Sequence, residues 1–219
     1  MRLVIFDVDG TLVDSQADIV ASMTAAFGEV GLAVPARSDI LSIVGLSLDV
    51  AMAQLAPEAD TDRMVQCYKD RYAHLRSTKG AASSPLYPGA RASLDHFASR
   101  DDILLGIATG KSKRGLDGLI EAHGLEGMFV TRQVADFHPS KPHPSMIHAA
   151  LDETGVDARD AVMIGDTRFD MEMAANADVA GIGVTWGYHP RTELGAARRI
   201  IEGFADLPAT IEKVLEASA

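Results

Sequence analysis

Carboxylates occur in this chain as two tight pairs, each directly after an apolar run. In "RLVIFDVDGTLVDS", Asp7 and Asp9 flank a single valine, and Gly10 and Thr11 follow at once. In "VMIGDTRFDMEMAANA", Asp166 is followed four residues later by Asp170. Like charges this close repel unless something positive sits between them. Two further stretches carry complementary chemistry. "IATGKS" places the Thr109 hydroxyl and the Gly110 backbone at the end of an apolar run, where both could hold phosphoryl oxygens. "PSKPHP" sets Lys141 between prolines in a stiffened loop. Two acidic pairs, a hydroxyl turn and a lysine form one site if the fold gathers them.

The elements that must do so are legible as two textures. Short apolar, β-favouring runs occur at Leu3–Phe6, Ile103–Ala108, Met128–Val130, Ala161–Ile164 and Val179–Val184. Helical patterns lie between the later ones, at Arg91–Ser99, Lys113–His123 and Pro144–Thr154. Continuous apolar strands are buried on both faces, so the pattern predicts an α/β fold with a doubly wound, Rossmann-like parallel sheet. Ligands of such sheets bind beyond the carboxyl ends of the strands, where the aspartates sit. Between about Ser15 and Gly80 the alternation stops and only helix signals remain. Ser15 with Asp18 resembles a capping box, followed by the stripe Ile19, Met23, Ala26, Phe27, Val30 and a second of Met64, Tyr68, Tyr72, Leu75. The turn-forming Ser77–Gly89 reads as the return to the core. The expected organisation is a catalytic core of residues 1–14 and 84–219 with an α-helical cap, 15–83, inserted into it.

Composition sets the bounds. The chain has 219 residues, 47% of them hydrophobic, and a net charge of −11 from 20 basic and 31 acidic side chains. That balance disfavours nucleic acid and anionic membrane as partners, since both require a positive face. Cys67 is the sole cysteine, which excludes an intramolecular disulfide and reads as a small buried residue on a helical stripe. No apolar run approaches the roughly 20 residues that span a bilayer, and the N-terminus shows no signal-peptide pattern. A cytoplasmic protein is expected. Asp14 reads as a helix-start residue, His143 as a solvated loop residue, and Trp186 and Tyr188 as packing for the loop after the last strand.

The ordered set DVDGT, ATG, Lys141 in SKP, and GDTRFD resembles the four motifs of the haloacid dehalogenase superfamily. The helical insert, "LYPG" and "SKPHP" are similar to its phosphoglycolate phosphatase-like subfamily, and the resemblance covers essentially the whole chain. It implies that Asp7 is a nucleophile forming an aspartyl-phosphate, and that Mg²⁺ is bound by the Asp7 carboxylate, the Asp9 backbone carbonyl and Asp166. Mg²⁺ suits such a site because it prefers hard oxygen ligands and bridges carboxylate to phosphate. Asp170 would hold metal waters and Lys141; Lys141, Thr109 and Gly110 would hold the phosphoryl group. Asp9 would be general acid, then base. An acid at neutral pH must be a protonated carboxyl, which crowding by other carboxylates and cap closure would favour. Gly45 and Ser47, in "IVGLSLD", lie where the family presents a cap loop to the substrate.

Within the superfamily, dehalogenases and phosphonoacetaldehyde hydrolases lack a carboxylate at the position of Asp9. The β-phosphoglucomutase branch carries a cap histidine where this chain has Ile19, which cannot shuttle a proton. The resemblance therefore implies a phosphatase acting on a small phosphorylated metabolite, as monomer or homodimer. Phosphoglycolate is the leading candidate; pyrophosphate, nucleotides and other phosphomonoesters are alternatives. A non-catalytic phosphate-binding protein is disfavoured because every motif residue is retained.

Overall fold

Leucine-, isoleucine- and valine-rich runs pair edge to edge as parallel strands in the computed structural model, which describes residues 1–217. The strands are β1 (Arg2–Phe6), β2 (Ile103–Thr109), β3 (Thr131–Val134), β4 (Ala161–Gly165), β5 (Ala180–Val184) and β6 (Arg199–Ile201). Their order is β3-β2-β1-β4-β5-β6, so the chain winds outward from β1 on one side and then crosses to β4 on the other. The crevice above β1 is thus the switch point at which such sheets bind ligands. Phe6 is in register with Ile107 of β2 and Ile164 of β4. The residues that follow these positions, Asp7, Thr109 and Asp166, therefore leave the sheet along one edge.

Alternation along the strands sorts the core into two layers. Val4, Phe6, Leu105, Ile107, Val162 and Ile164 face one side. There they meet α5 (Ala90–Ala98), α6 (Lys113–His123) and α9 (Leu207–Glu216). Leu3, Ile5 and Met163 face the other side, against α7 (Ser145–Thr154) and α8 (Arg168–Asn176). Both edge strands depart from the expectation. The third strand lies at Thr131–Val134, immediately after the apolar run Met128–Val130. Three of its four residues are polar, and its buried Thr131 and Gln133 are satisfied by Glu153, at 2.5 and 2.9 Å. The sixth strand, three residues long and partly exposed, was not anticipated.

The segment between β1 and α5 is helical: α1 (Gln16–Glu29), α2 (Arg37–Ser42), α3 (Leu48–Leu55) and α4 (Thr61–Lys79). Its own apolar cluster joins Ile19, Met23, Ala26 and Phe27 of α1 to Met64 and Tyr72 of α4, and Phe169 of α8 packs into it from the sheet side. The expected capping box at Ser15 is absent, since its side chain makes no cap bond, while Asp14 Oδ1 accepts from the Gln16 N–H at 3.2 Å at the helix start. Ser15 is bonded to Asp9 instead, and Asp18 is buried, accepting from Lys79 Nζ at 2.7 Å and from the Ser83 hydroxyl. Asp18 thereby ties the start of the helical segment to its end. Cys67 is half-buried, not enclosed as its stripe suggested. No helix among the described residues is long and apolar enough to cross a membrane.

Candidate active site

Asp7 follows β1, and its backbone N–H continues the ladder by donating to the Ile164 carbonyl at 2.9 Å. Its side chain is not turned to solvent, as a strand-end carboxylate would suggest, but 1% exposed. Lys141, equally buried, reaches it from the loop before α7, with Nζ 2.7 Å from Asp7 Oδ1 and 2.6 Å from Asp170 Oδ1. Asp170 sits in the first turn of α8, and its Oδ2 accepts from the Thr167 N–H (3.0 Å) and hydroxyl (2.7 Å). The Thr167 side chain accepts from the Asp170 N–H in return, a true capping box that fixes Asp170 towards Lys141.

Asp166, at the end of β4, accepts from the Thr11 hydroxyl at 2.9 Å and from the Tyr188 N–H at 2.8 Å. Two glycines make its space. A Cβ on Gly10, whose φ is +87°, would lie 2.2 Å from Asp166 Oδ2, and one on Gly187 would lie 2.1 Å from Asp166 Cβ. Oxygens of Asp7, Asp166 and Asp170 all lie within 4.8 Å of one another. Asp7 Oδ2 is buried with no hydrogen-bond partner. An unpartnered carboxylate oxygen inside an all-oxygen, acidic cluster fits a hard divalent cation, and the size and charge of Mg²⁺ suit it.

Burial sets the electrostatics of this cluster. It pushes Asp7 up to about 7, against the pull of Lys141 and with the help of Asp170 and Asp9. Burial and then the charges of Asp170 and Asp7 hold Asp166 well above the usual carboxylate range. Burial also disfavours the Lys141 ammonium, but Asp170 and Asp7 outweigh it and keep the group firmly protonated. A stability signature follows for the metal-free protein. The folded state holds a proton on Asp7 that the unfolded chain releases above about 3.8, so this contribution is lost as pH rises towards about 7. Between pH 4 and 8 in EDTA, wild type is expected to lose at least ~1 kcal/mol relative to Asp7→Asn. Thermal melts of both proteins across that range should show it as a gap of about 2–4 °C or more, and parallel pH profiles would contradict it.

Asp9 is held differently. Lys111 Nζ lies 2.9 and 2.8 Å from its two oxygens, and the Ser15 hydroxyl donates to Oδ1 at 2.5 Å. The expected crowding of Asp9 by other carboxylates is replaced by contact with an ammonium. Lys111, not anticipated as a site residue, also contacts the Tyr72 hydroxyl at 3.2 Å and lies over its ring. The available signal was a cation two positions past a strand end, inside "ATGK". Tyr188 was missed in the same way. Its hydroxyl accepts from the Ser15 N–H at 3.0 Å and lies 2.8 Å from Ser15 Oγ, so this residue links the Asp9 and Asp166 supports. Trp186 does pack the loop, against Phe204, with Nε1 donating to the Thr11 carbonyl.

Thr109 is 1% exposed, and its hydroxyl accepts from the Lys111 N–H at 3.2 Å. Gly110 lies beneath the loop between α2 and α3. A Cβ there would meet the Leu46 and Gly45 carbonyls at 2.5 and 2.7 Å, so a side chain would lift that loop away. The Ser47 N–H donates to Ser140 Oγ at 2.8 Å, next to Lys141. Gly45 and Ser47 line a cavity of about 530 Å³, together with Asp7, Asp9, Thr109, Gly110 and Lys111. Lys141, Asp166 and Asp170 are buried beneath it.

The geometry matches a known family. The profile of the haloacid dehalogenase-like hydrolases matches residues 4–184. A protein named probable phosphatase IndB from Dickeya dadantii is 34% identical over 223 residues, covering 99% of this chain and 96% of that one. A phosphoglycolate phosphatase from Agrobacterium fabrum is 35% identical over 228 residues, covering 99% and 95%. Among solved structures, a haloacid dehalogenase-like hydrolase from Streptococcus pneumoniae superposes with a TM-score of 0.83 at 26% identity, covering 96% of this chain and 98% of that one. This chain belongs to the haloacid dehalogenase-like hydrolase family.

Proposed function

We propose that this hydrolase is a Mg²⁺-dependent phosphatase that cleaves a small phosphorylated metabolite through an aspartyl-phosphate on Asp7. The observation that carries the reading is the asymmetry of the Asp7 carboxylate. One oxygen is fixed by Lys141, while the other is buried and unpartnered beside Asp166 and Asp170. Asp7, the Asp9 carbonyl and Asp166 would hold the cation. When bound, it supplies positive charge between these carboxylates and the phosphoryl oxygens.

The remaining work falls to the chain. Asp7 attacks phosphorus, and the ester oxygen departs. Asp9 stands at the cavity and gives that oxygen its proton, then accepts one from the water that cleaves the intermediate. It must first leave Lys111, its present partner. Lys141 neutralises the transferring group, Asp170 holds Lys141, and Thr109 with Gly110 cradles phosphoryl oxygens. The helices of residues 15–83 act as a cap, with Gly45 and Ser47 as the part that touches the leaving group. Relatives named phosphoglycolate phosphatase make phosphoglycolate the first ester to test, ahead of pyrophosphate and nucleotides.

Turnover of p-nitrophenyl phosphate with Mg²⁺, abolished by EDTA, is the expected result; full activity in EDTA would falsify the metal assignment. Asp166→Ala should raise the Mg²⁺ requirement steeply, since a charged ligand of the cation is lost. A bulky residue in place of Ser47 should reorder a panel of phosphorylated metabolites by about tenfold or more in kcat/KM. Equal losses on every ester would contradict the role given to that loop.

A further inference from the structure

The cavity is much larger than its phosphate end requires. At about 530 Å³ it falls within the roughly 300–1,000 Å³ that holds a drug-sized ligand. Asp7, Thr109 and Gly110 mark the end where the phosphoryl group would lie, and glycolate would add only a methylene and a carboxylate beyond it. The remaining wall belongs to the helical layer and is mostly apolar: Ile19, Met23, Leu48, Val65, Tyr68 and Ala73. Tyr68 is stacked on Tyr72, with ring centroids 5.9 Å apart and planes 18° from parallel. Tyr72 is itself fixed through its hydroxyl to Ser84 and Lys111. The result is a braced aromatic surface, suited to a flat ring.

Charge points the same way. Lys69, Arg76 and Arg114 on the lining are matched by Asp49, Asp70 and Asp136. No net positive field draws a second anion into this part of the cavity. Arg76 donates to the Arg114 and Gly115 carbonyls, and Lys111 lies at the phosphate end, beside Asp9. An uncharged ring instead gains about 25 cal/mol per Å² of apolar surface it buries against this wall.

We infer that the ester's alcohol is an uncharged, ring-bearing group of about nucleoside size, seated against Tyr68 and the Val65 and Ala73 side of α4. The inference rests on the phosphatase reading and selects among its candidate esters. The chemistry is unchanged: the ester P–O bond breaks as the bond from Asp7 to phosphorus forms, the alcohol leaves with the Asp9 proton, and water then displaces Asp7 from phosphorus and returns one proton to Asp9.

The test compares kcat/KM for benzyl phosphate, a nucleoside monophosphate and phosphoglycolate, all of which release alkoxide-type leaving groups. Wild type with Mg²⁺ should prefer the ring esters to phosphoglycolate by about tenfold or more. Val65→Trp and Ala73→Phe each fill the cavity from α4, and either should reduce that preference by a similar factor. Two variants are used because one overpacked side chain can prevent folding. Calorimetric binding of the same esters to Asp7→Asn should show the same ranking without turnover. Preference for phosphoglycolate in either assay, or a ring preference unmoved by both variants, overturns the inference while leaving the phosphatase reading intact. Hydrolysis of no ester by wild type overturns both.

Discussion

Asp7→Asn is expected to remove phosphatase activity by several orders of magnitude while leaving the fold in place. Asparagine has the shape of aspartate but cannot form the acyl-phosphate, and no neighbouring carboxylate can replace it. Asp166 is held by Thr11 and Tyr188, and Asp170 by Thr167 and Lys141, so neither is free to turn to phosphorus. Folding should survive because Lys141 keeps its 2.6 Å contact with Asp170. The substitution also removes a carboxylate that burial disfavours in the metal-free protein. Steady-state kinetics and a thermal melt of the same preparation separate the two effects. Near wild-type turnover would sink the covalent mechanism.

Lys141→Ala should slow every substrate alike, by roughly 10²-fold or more, because the group it neutralises is common to all phosphate esters. It should also destabilise the protein. The ammonium lies between two buried carboxylates, and removing one partner of a buried ion pair costs about 3–5 kcal/mol. Mg²⁺ should restore part of that stability by supplying charge to the same carboxylates. The kinetic signature is a kcat/KM profile over the metabolite panel that falls without changing order. A reordered profile would place Lys141 in leaving-group selection and contradict its role here.

The parts of the site that could be read in the sequence are those in which a residue type stands at the end of an apolar run. Asp7, Thr109 and Asp166 follow β1, end β2 and follow β4, strands whose two buried faces make them unmistakable. Asp170 was legible through its spacing from Asp166, and Lys141 through its proline-bounded loop. The supporting contacts were not legible, because they depend on long-range placement. Lys111 stands two positions past a strand end, but its partners are set only when α4 brings Tyr72 beside it. Ser15 has the type and position of a helix cap, yet Asp9 and Tyr188 compete successfully for its hydroxyl. Edge strands escape for a related reason. With one neighbour each, β3 and β6 carry polar residues at positions where a central strand would be apolar.

The central claim is that phosphorus is transferred to Asp7 before it reaches water. Acid quenching during turnover of a good phosphate ester, followed by mass spectrometry of the proteolysed chain, observes this directly. The account predicts one phosphoryl group on the peptide containing Asp7, present in wild type and absent from Asp7→Asn. Rapid release of phosphate with the Asp7 peptide unmodified at every quench time, or a phosphoryl group on a different residue, would contradict it.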